Sequence, residues 1–523
     1  MEDDFLLRSK TLPAIITNGY HHNAGGHRHD DCTMIKSAEP EEEPLSPLSH
    51  VFLSSSMNTT AILVVGFATT VDVEEFTRNF ESTWIKHPRF SSKLVFDANN
   101  RPNRWIRTKV NLEDHIIVPD FDPNMDNPDR FVQDYISDLS QTPIDLSKPL
   151  WEFHILNITT SHGNAVGTLK MHHSLGDGIS VFSLLLSCSR KITNPEELPS
   201  FSKPKKPSSS NADGCFRNFI AIWLMLKLMW NTLIDLLEFL CSAVRVLKDS
   251  DTPVYNEKGV GNSYRRIVHR MVSLDDMKLV KNETKATIND VFVGIINAAL
   301  SRYLHRKHGE FSSTNGREEG YAVTGRNSHM KGIHIRASVL VNLRQTAGVN
   351  NVACMLEKGS KCKWGNRIGC MLLPLHVALE KDPLEYIHKA KQKLDRKKSS
   401  LQAKVLNYLI IPILQFVLGN KVASAVIYRA ISSTTMVVSN VVGPAEEVAF
   451  CGQRVAFIAS TVCMASQGLI IHCTSCGDKM SIVLCASPEL IPDLHRLGDD
   501  IVDSLEDMKD VVLQRKHNDE GII

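Results

Sequence analysis

Residues 165–187 read AVGTLKMHHSLGDGISVFSLLLS, and this stretch constrains the fold most tightly. Its first half is an apolar run with the composition of a buried strand. Its second half places Ile179, Phe182, Leu185 and Leu186 at helical spacing, and Asp177 stands where a helix starting at Gly178 needs a cap. A buried strand feeding directly into a buried helix predicts an α/β layer structure. His172 and His173 fall at the strand end, where successive side chains point to opposite sides. One histidine can therefore face a cavity while the other is held by the scaffold. A neutral imidazole, with a pKa of about 6.5, can take a proton from a hydroxyl provided the ring is held in one tautomer.

The rest of the chain predicts two such units. With 523 residues it is too long for one ordinary core. Residues 1–42 are polar and show no sustained periodicity, so they read as a tail, and its His21, His22, His27 and His29 as incidental. Residues 43–195 mix strand patterns (AILVVGFATT, GNAVGTLKMHH) with helical ones (VEEFTRNFESTWIKH), predicting a first α/β domain. Residues 196–255 open with a Pro-, Ser- and Lys-rich linker. Residues 256–510 predict the second α/β domain, with TINDVF opening a helix through a capping-box-like pair, Thr287 and Asp290, and 511–523 a tail.

Inside the linker region, residues 216–247 are apolar and about long enough to cross a bilayer. Arg217, Lys227, Asn231, Asp235, Glu238, Ser242 and Arg245 nevertheless fall on one stripe. A span would bury Lys227, Asp235 and Glu238 at about 2.5–3.5 kcal/mol each near the bilayer centre. The expectation is a helix lying in the membrane surface or docked on the protein, with Trp223 and Trp230 at headgroup depth. LNYLIIPILQFVLGN, residues 406–420, is interrupted by Pro412 and reads as too short for a span.

Charge and cysteine content narrow the function classes. The 59 Lys and Arg balance 58 Asp and Glu, and no basic stripe suits a nucleic acid. Twelve cysteines sit at irregular intervals among apolar neighbours, as free thiols in a reduced, cytosol-facing environment do. Cys473 and Cys476 have no second pair at zinc spacing, so a metal role is not expected there.

His172, His173, Asp177 and Gly178 match the HHxxxDG signature of the superfamily that includes chloramphenicol acetyltransferase, peptide-synthetase condensation domains and carnitine acyltransferases. EPLSPLSHVF, HPRFSSKLV, DLSKPLWEFHIL, TINDVF, VNLR, WGNRIG and SNVVGP stand in order along the chain. Together they resemble the plant branch of the wax ester synthase/diacylglycerol acyltransferase family over residues 43–510. Val442 departs from that pattern where many relatives carry proline, and Cys476 where tyrosine is common.

The resemblance implies two chloramphenicol-acetyltransferase-like domains packed with an active-site channel between them. It implies esterification of a long-chain alcohol or diacylglycerol by the acyl group of acyl-CoA, at the cytosolic face of the endoplasmic reticulum membrane or at the plasma membrane. By carry-over His173 is the general base, His172 supports it, and Asp177 holds the loop through a salt bridge for which Arg344 is the expected partner. Asn440, beside Ser439 in the opposite domain, is the candidate oxyanion donor. Asn289 and Asp290 are candidate substrate-binding or structural residues, and Gly365 and Asn366 shape the channel or form a turn. No metal or redox cofactor is implied, because a thioester is already activated and a hydroxyl can attack it directly. The absence of G-x-S-x-G agrees. A non-catalytic lipid-binding protein of the same fold, or an acyltransferase with another acceptor alcohol, is the alternative.

Overall fold

A computed structural model of the chain describes residues 42–97, 102–122, 125–200, 214–256, 261, 264–314, 332–344 and 364–520. Residues 1–41 of the expected tail with its four histidines, 201–213 of the expected linker and 521–523 lie outside the described residues.

Two large mixed sheets carry the fold. The first has seven strands in the spatial order Ile116–Ile117, Trp151–Leu156, Ala165–His172, Thr59–Phe67, Gln453–Met464, Val448–Phe450 and Ser189–Lys191. The second has six, in the order Ile368–Pro374, Arg336–Asn342, Met436–Val441, Leu469–Cys476, Lys479–Ala486 and Arg266–Ser273. The histidine strand sits near the centre of the first sheet, antiparallel to both neighbours, and is buried at every position, Lys170 included.

Each sheet packs helices on its own core. Phe76, Phe80, Trp84, Phe90 and Trp151 fill the first. Val291, Ile295, Leu300, Ile482, Leu484 and Leu497 fill the second. A third apolar cluster joins the two sheets, with Ile62, Val64 and Phe457 from the first against Val437, Ile470 and Val483 from the second.

The division expected at residues 256–510 follows the chain but not the sheets. Val448–Phe450 and Gln453–Met464 complete the first sheet, Val462 pairing with Ala61, before the chain returns to the second sheet at Leu469. The crossing strand ties the two halves together and places its Ser460 and Thr461 at the interdomain cavity.

One apolar segment differs from expectation, and the other takes the docked position expected of it. The apolar stretch at 406–420 belongs to a helical run of 31 residues, Gln402–Ser432. Pro412 stands in the first turn of its Ile411–Ser432 part, where the missing N–H is not needed, and the run bends instead at Gly419, whose φ of 82° favours glycine. The helix Gly214–Ala243 lies beside it. Asn231, Asp235 and Ser242 on its polar stripe are buried against the protein, while Trp223, Met229, Trp230, Leu233 and Leu237 are exposed. Arg217 of that stripe has no described side-chain environment.

Candidate active site

The strand Ala165–His172 ends in a short 3-10 turn, His173–Leu175, before the helix Gly178–Ser187 begins. His172 caps that turn: its Nδ1 accepts from the Ser174 backbone N–H at 3.1 Å. The proton must therefore sit on Nε2, which donates to Asn58 Oδ1 at 3.0 Å. Burial pulls the His172 pKa down to about 3, with the neighbouring His173 adding to the shift. His172 is thus a neutral scaffold residue with both nitrogens engaged.

His173 points to the other side. The amide nitrogen of Asn366 donates to the His173 backbone carbonyl at 2.9 Å, which turns the Asn366 Oδ1 toward the ring, 3.1 Å from Nδ1. Nδ1 must carry the proton, leaving the Nε2 lone pair available as a base. Phe52 packs against the ring with centroids 4.3 Å apart. Burial lowers the His173 pKa, opposed by a hydrogen bond to its own backbone carbonyl, by the Asp177 carboxylate and by Asn366. The ring is held neutral and ready to accept a proton.

Asp177 does not touch either histidine by a hydrogen bond among the described residues. One carboxylate oxygen caps the helix, accepting from Ser180 N–H at 2.9 Å. The other accepts from Arg344 Nη1 at 2.7 Å and from the Arg367 N–H at 2.8 Å. The salt bridge to Arg344 is the contact the resemblance suggests. Gly178 allows close approach, since a Cβ there would come within 3.3 Å of Val441.

Gly365 and Asn366, expected as channel wall or turn, belong to a latch of residues 364–367 from the opposite domain. Trp364 Nε1 donates to the Leu175 carbonyl at 2.7 Å. The Gly365 carbonyl accepts from Ser180 Oγ at 3.1 Å and from Arg344 Nη2 at 2.8 Å, with a φ of 113° that suits glycine. Asn366 then holds His173, and Arg367 holds Asp177. Four consecutive residues fasten one domain to the histidine motif of the other.

Asn440 and Ser439 line the same cavity as His173, and Asn440 also donates to Asn289 Oδ1 at 2.5 Å. Its amide has a second N–H beyond that bond. Asn289 thereby supports Asn440, while Asp290 does not reach the cavity. It closes the expected capping box with Thr287 (2.8 and 3.3 Å) and takes a contact from Lys398 at 3.3 Å.

Sequence reasoning missed His472. This residue faces the same cavity, stands opposite Ser439 in the register of the second sheet, and contacts Thr461 Oγ1 at 3.2 Å through Nδ1. Burial, with His173 nearby, pulls its pKa down to about 3. A lone histidine in LIIHC was the available signal. Asn58, Ser49 and Phe52 were also missed, because their contacts with the motif join segments far apart in the chain.

His173 lies where two cavities meet. One, with about 820 Å³ of empty space, runs between the domains past Met171, Phe182, Asn440 and His472. The other, about 730 Å³, is lined by Phe52, Leu406, Ile411, Ile427 and Ile431. Both share Leu340 and Ile368, and both walls are mainly apolar. A neutral base at such a junction can act on a hydroxyl carried by a long apolar molecule.

Comparison with known proteins gives the lineage. The wax ester synthase/diacylglycerol acyltransferase catalytic domain matches residues 37–292, and the WS/DGAT C-terminal domain matches 364–509. The chain belongs to the wax ester synthase/diacylglycerol acyltransferase family. Wax ester synthase/diacylglycerol acyltransferase 11 of Arabidopsis thaliana is 42% identical over 480 residues, covering 91% of this chain and 96% of its own. Number 4 from the same plant is 43% identical over 488 residues, covering 91% of each. Among solved structures, the family member from Marinobacter aquaeolei VT8 aligns with a TM-score of 0.55 and 17% identity, over 90% of this chain and 99% of that one. The first condensation domain of the calcium-dependent antibiotic synthetase aligns with a TM-score of 0.51 and 14% identity, over 90% and 96%. These two likenesses are of fold, and they agree with the two-domain architecture. As a member of this family the chain is an acyltransferase.

Proposed function

We propose that the protein transfers a fatty acyl group from acyl-CoA to the hydroxyl of a long-chain alcohol, giving a wax ester, with diacylglycerol as a second acceptor. His173 Nε2 takes the hydroxyl proton as the oxygen attacks the thioester carbonyl. The tetrahedral oxyanion is met by the remaining N–H of Asn440. Collapse breaks the C–S bond, and the imidazolium returns its proton to the departing thiolate of CoA. Asp177 and Arg344 hold the loop, and His172 holds the turn. The observation that carries this reading is the His173 ring, fixed in one tautomer by Asn366 at the meeting point of two apolar cavities.

Replacing His173 with alanine is expected to lower acyl transfer by about 10²–10⁴-fold while the protein stays folded. Turnover near the wild-type rate in that variant, assayed with acyl-CoA and a long-chain alcohol or diacylglycerol, would remove the histidine base.

The reading also puts the protein on a membrane surface, at the cytosolic face of the endoplasmic reticulum. Two helices, Ile220–Ala243 and Gln402–Ser432, are long and apolar enough to cross a bilayer by length and composition. The buried polar stripe of the first supports a helix lying along the membrane with its outer face in lipid.

A further inference from the structure

A soluble helix normally turns its apolar face to the core and its polar face to water. Gly214–Ala243 does the reverse. Asp235 pairs with Arg396 at 2.8 Å and Lys397 at 2.9 Å, Glu238 pairs with Lys397 at 2.6 Å, and Asn231 donates to the Ser399 carbonyl at 3.0 Å. The middle of the polar stripe, Asn231 to Ser242, is consumed by the protein body, while Lys227 stays exposed. Outward lie Trp223 (62% exposed), Trp230 (65%), Leu226, Leu233, Leu237 and Leu240. The packed neighbour Gln402–Ser432 extends this surface with Tyr408, Leu409, Ile413, Val417 and Phe416, the last 92% exposed. Two helices thus present one contiguous apolar face, with exposed Lys227, Lys404 and Lys421 on the same segments. A monomer in water rarely leaves such a surface uncovered.

The inner sides of the same turns wall the smaller cavity that reaches His173. Phe239 lies between exposed Leu237 and Leu240, Leu406 and Asn407 precede exposed Tyr408 and Leu409, and Ile411 precedes exposed Ile413. The wall here is a π-turn, Leu406–Ile410, so the segment between the cavity and the outer face departs from regular α-helical bonding.

We propose that Gly214–Ala243 and Gln402–Ser432 together seat the protein on a lipid bilayer, and that the cavity beneath Leu406–Ile411 takes the alkyl chain of the acceptor directly from that bilayer to His173. The occupant of the face is phospholipid, because the cavity below it is apolar, the lysines on it suit anionic headgroups, and the tryptophans suit an interface. The inference rests on the acyl-transfer reading and adds the route by which the acceptor arrives.

The test compares acceptor lengths and modes of delivery in the full chain. Leu406→Trp and the milder Ile427→Phe fill the cavity. Each is expected to lower the ratio of hexadecanol to hexanol kcat/KM by about tenfold or more, with circular dichroism checking the fold. Phe416→Glu combined with Val417→Glu charges the outer face. It is expected to abolish flotation with vesicles of zwitterionic and anionic phospholipid, and to lower the ratio of vesicle-delivered to detergent-dispersed hexadecanol turnover by about tenfold. Unchanged ratios in the folded cavity variants overturn the route, and wild-type flotation by the charged variant overturns the seat. A wild-type dimer that this variant dissociates would assign the face to a second copy of the chain and overturn it too. Failure of the wild-type protein to acylate any acceptor in detergent would instead sink the acyl-transfer reading itself.

Discussion

At the scale of single residues, the site separates two adjacent histidines by what their nitrogens can still do. His172 spends both on Ser174 and Asn58, whereas His173 spends Nδ1 on Asn366 and keeps Nε2. Asn366 is therefore a positioning residue. Asn366→Ala should lower kcat by about 10-fold or more with a smaller change in KM, because the ring loses its tautomer and not its substrate; equal loss in both would argue against this role. The lowered pKa of His173 has a sign. The base is lost only when the ring is protonated, so the acid limb of kcat/KM should fall below pH 6.5, the ordinary histidine value. A pH profile with its acid limb at or above that value would contradict it. Arg344→Ala should cost about 3–5 kcal/mol of stability, since it leaves the fully buried Asp177 carboxylate without its cation. Thermal denaturation measures this, and an unchanged melting temperature would show that the Arg367 N–H suffices.

At the scale of elements, the strand, the turn and the helix of the histidine motif were legible in sequence because each is written locally. Apolar continuity marks the strand, helical spacing marks the helix, and Asp177 marks the cap. The 216–247 segment is legible as a helix with a polar stripe, but not which side meets the protein. That depends on Arg396 and Lys397 of the helix Glu385–Lys398, which are distant in the chain. The 406–420 segment reads as too short because Pro412 looks like an interruption, and a proline in a first turn is no interruption. If the Gly214–Ala243 helix lies along the surface, tags placed at its two ends will be digested together or protected together in sealed microsomes. Protection of one end alone would mean a span.

At the scale of the whole molecule, burial of neutral histidines sets an acid limit. His87, His172, His269 and His472 all have pKa values lowered to about 3 by burial. Unfolding frees each to bind a proton below about pH 6.5, so the stability they leave intact above that pH is lost progressively as pH falls toward 3. Each such group contributes a slope of up to about 1.4 kcal/mol per pH unit in that window. The melting temperature should therefore drop steeply between about pH 6.5 and about pH 4.5, and a flat profile there would contradict the neutral burial of these rings. The sequence by itself determined the α/β class, the HHxxxDG turn and the family, because these depend on neighbours within a few residues or on motifs in fixed order. Only the tertiary structure decided that residues 364–367 latch the motif, that His472 joins the cavity, that Gln453–Met464 crosses to the first sheet, and that a polar stripe faces inward. Each of these is a pairing between distant segments, and its energy appears only when folding brings the two partners out of water together.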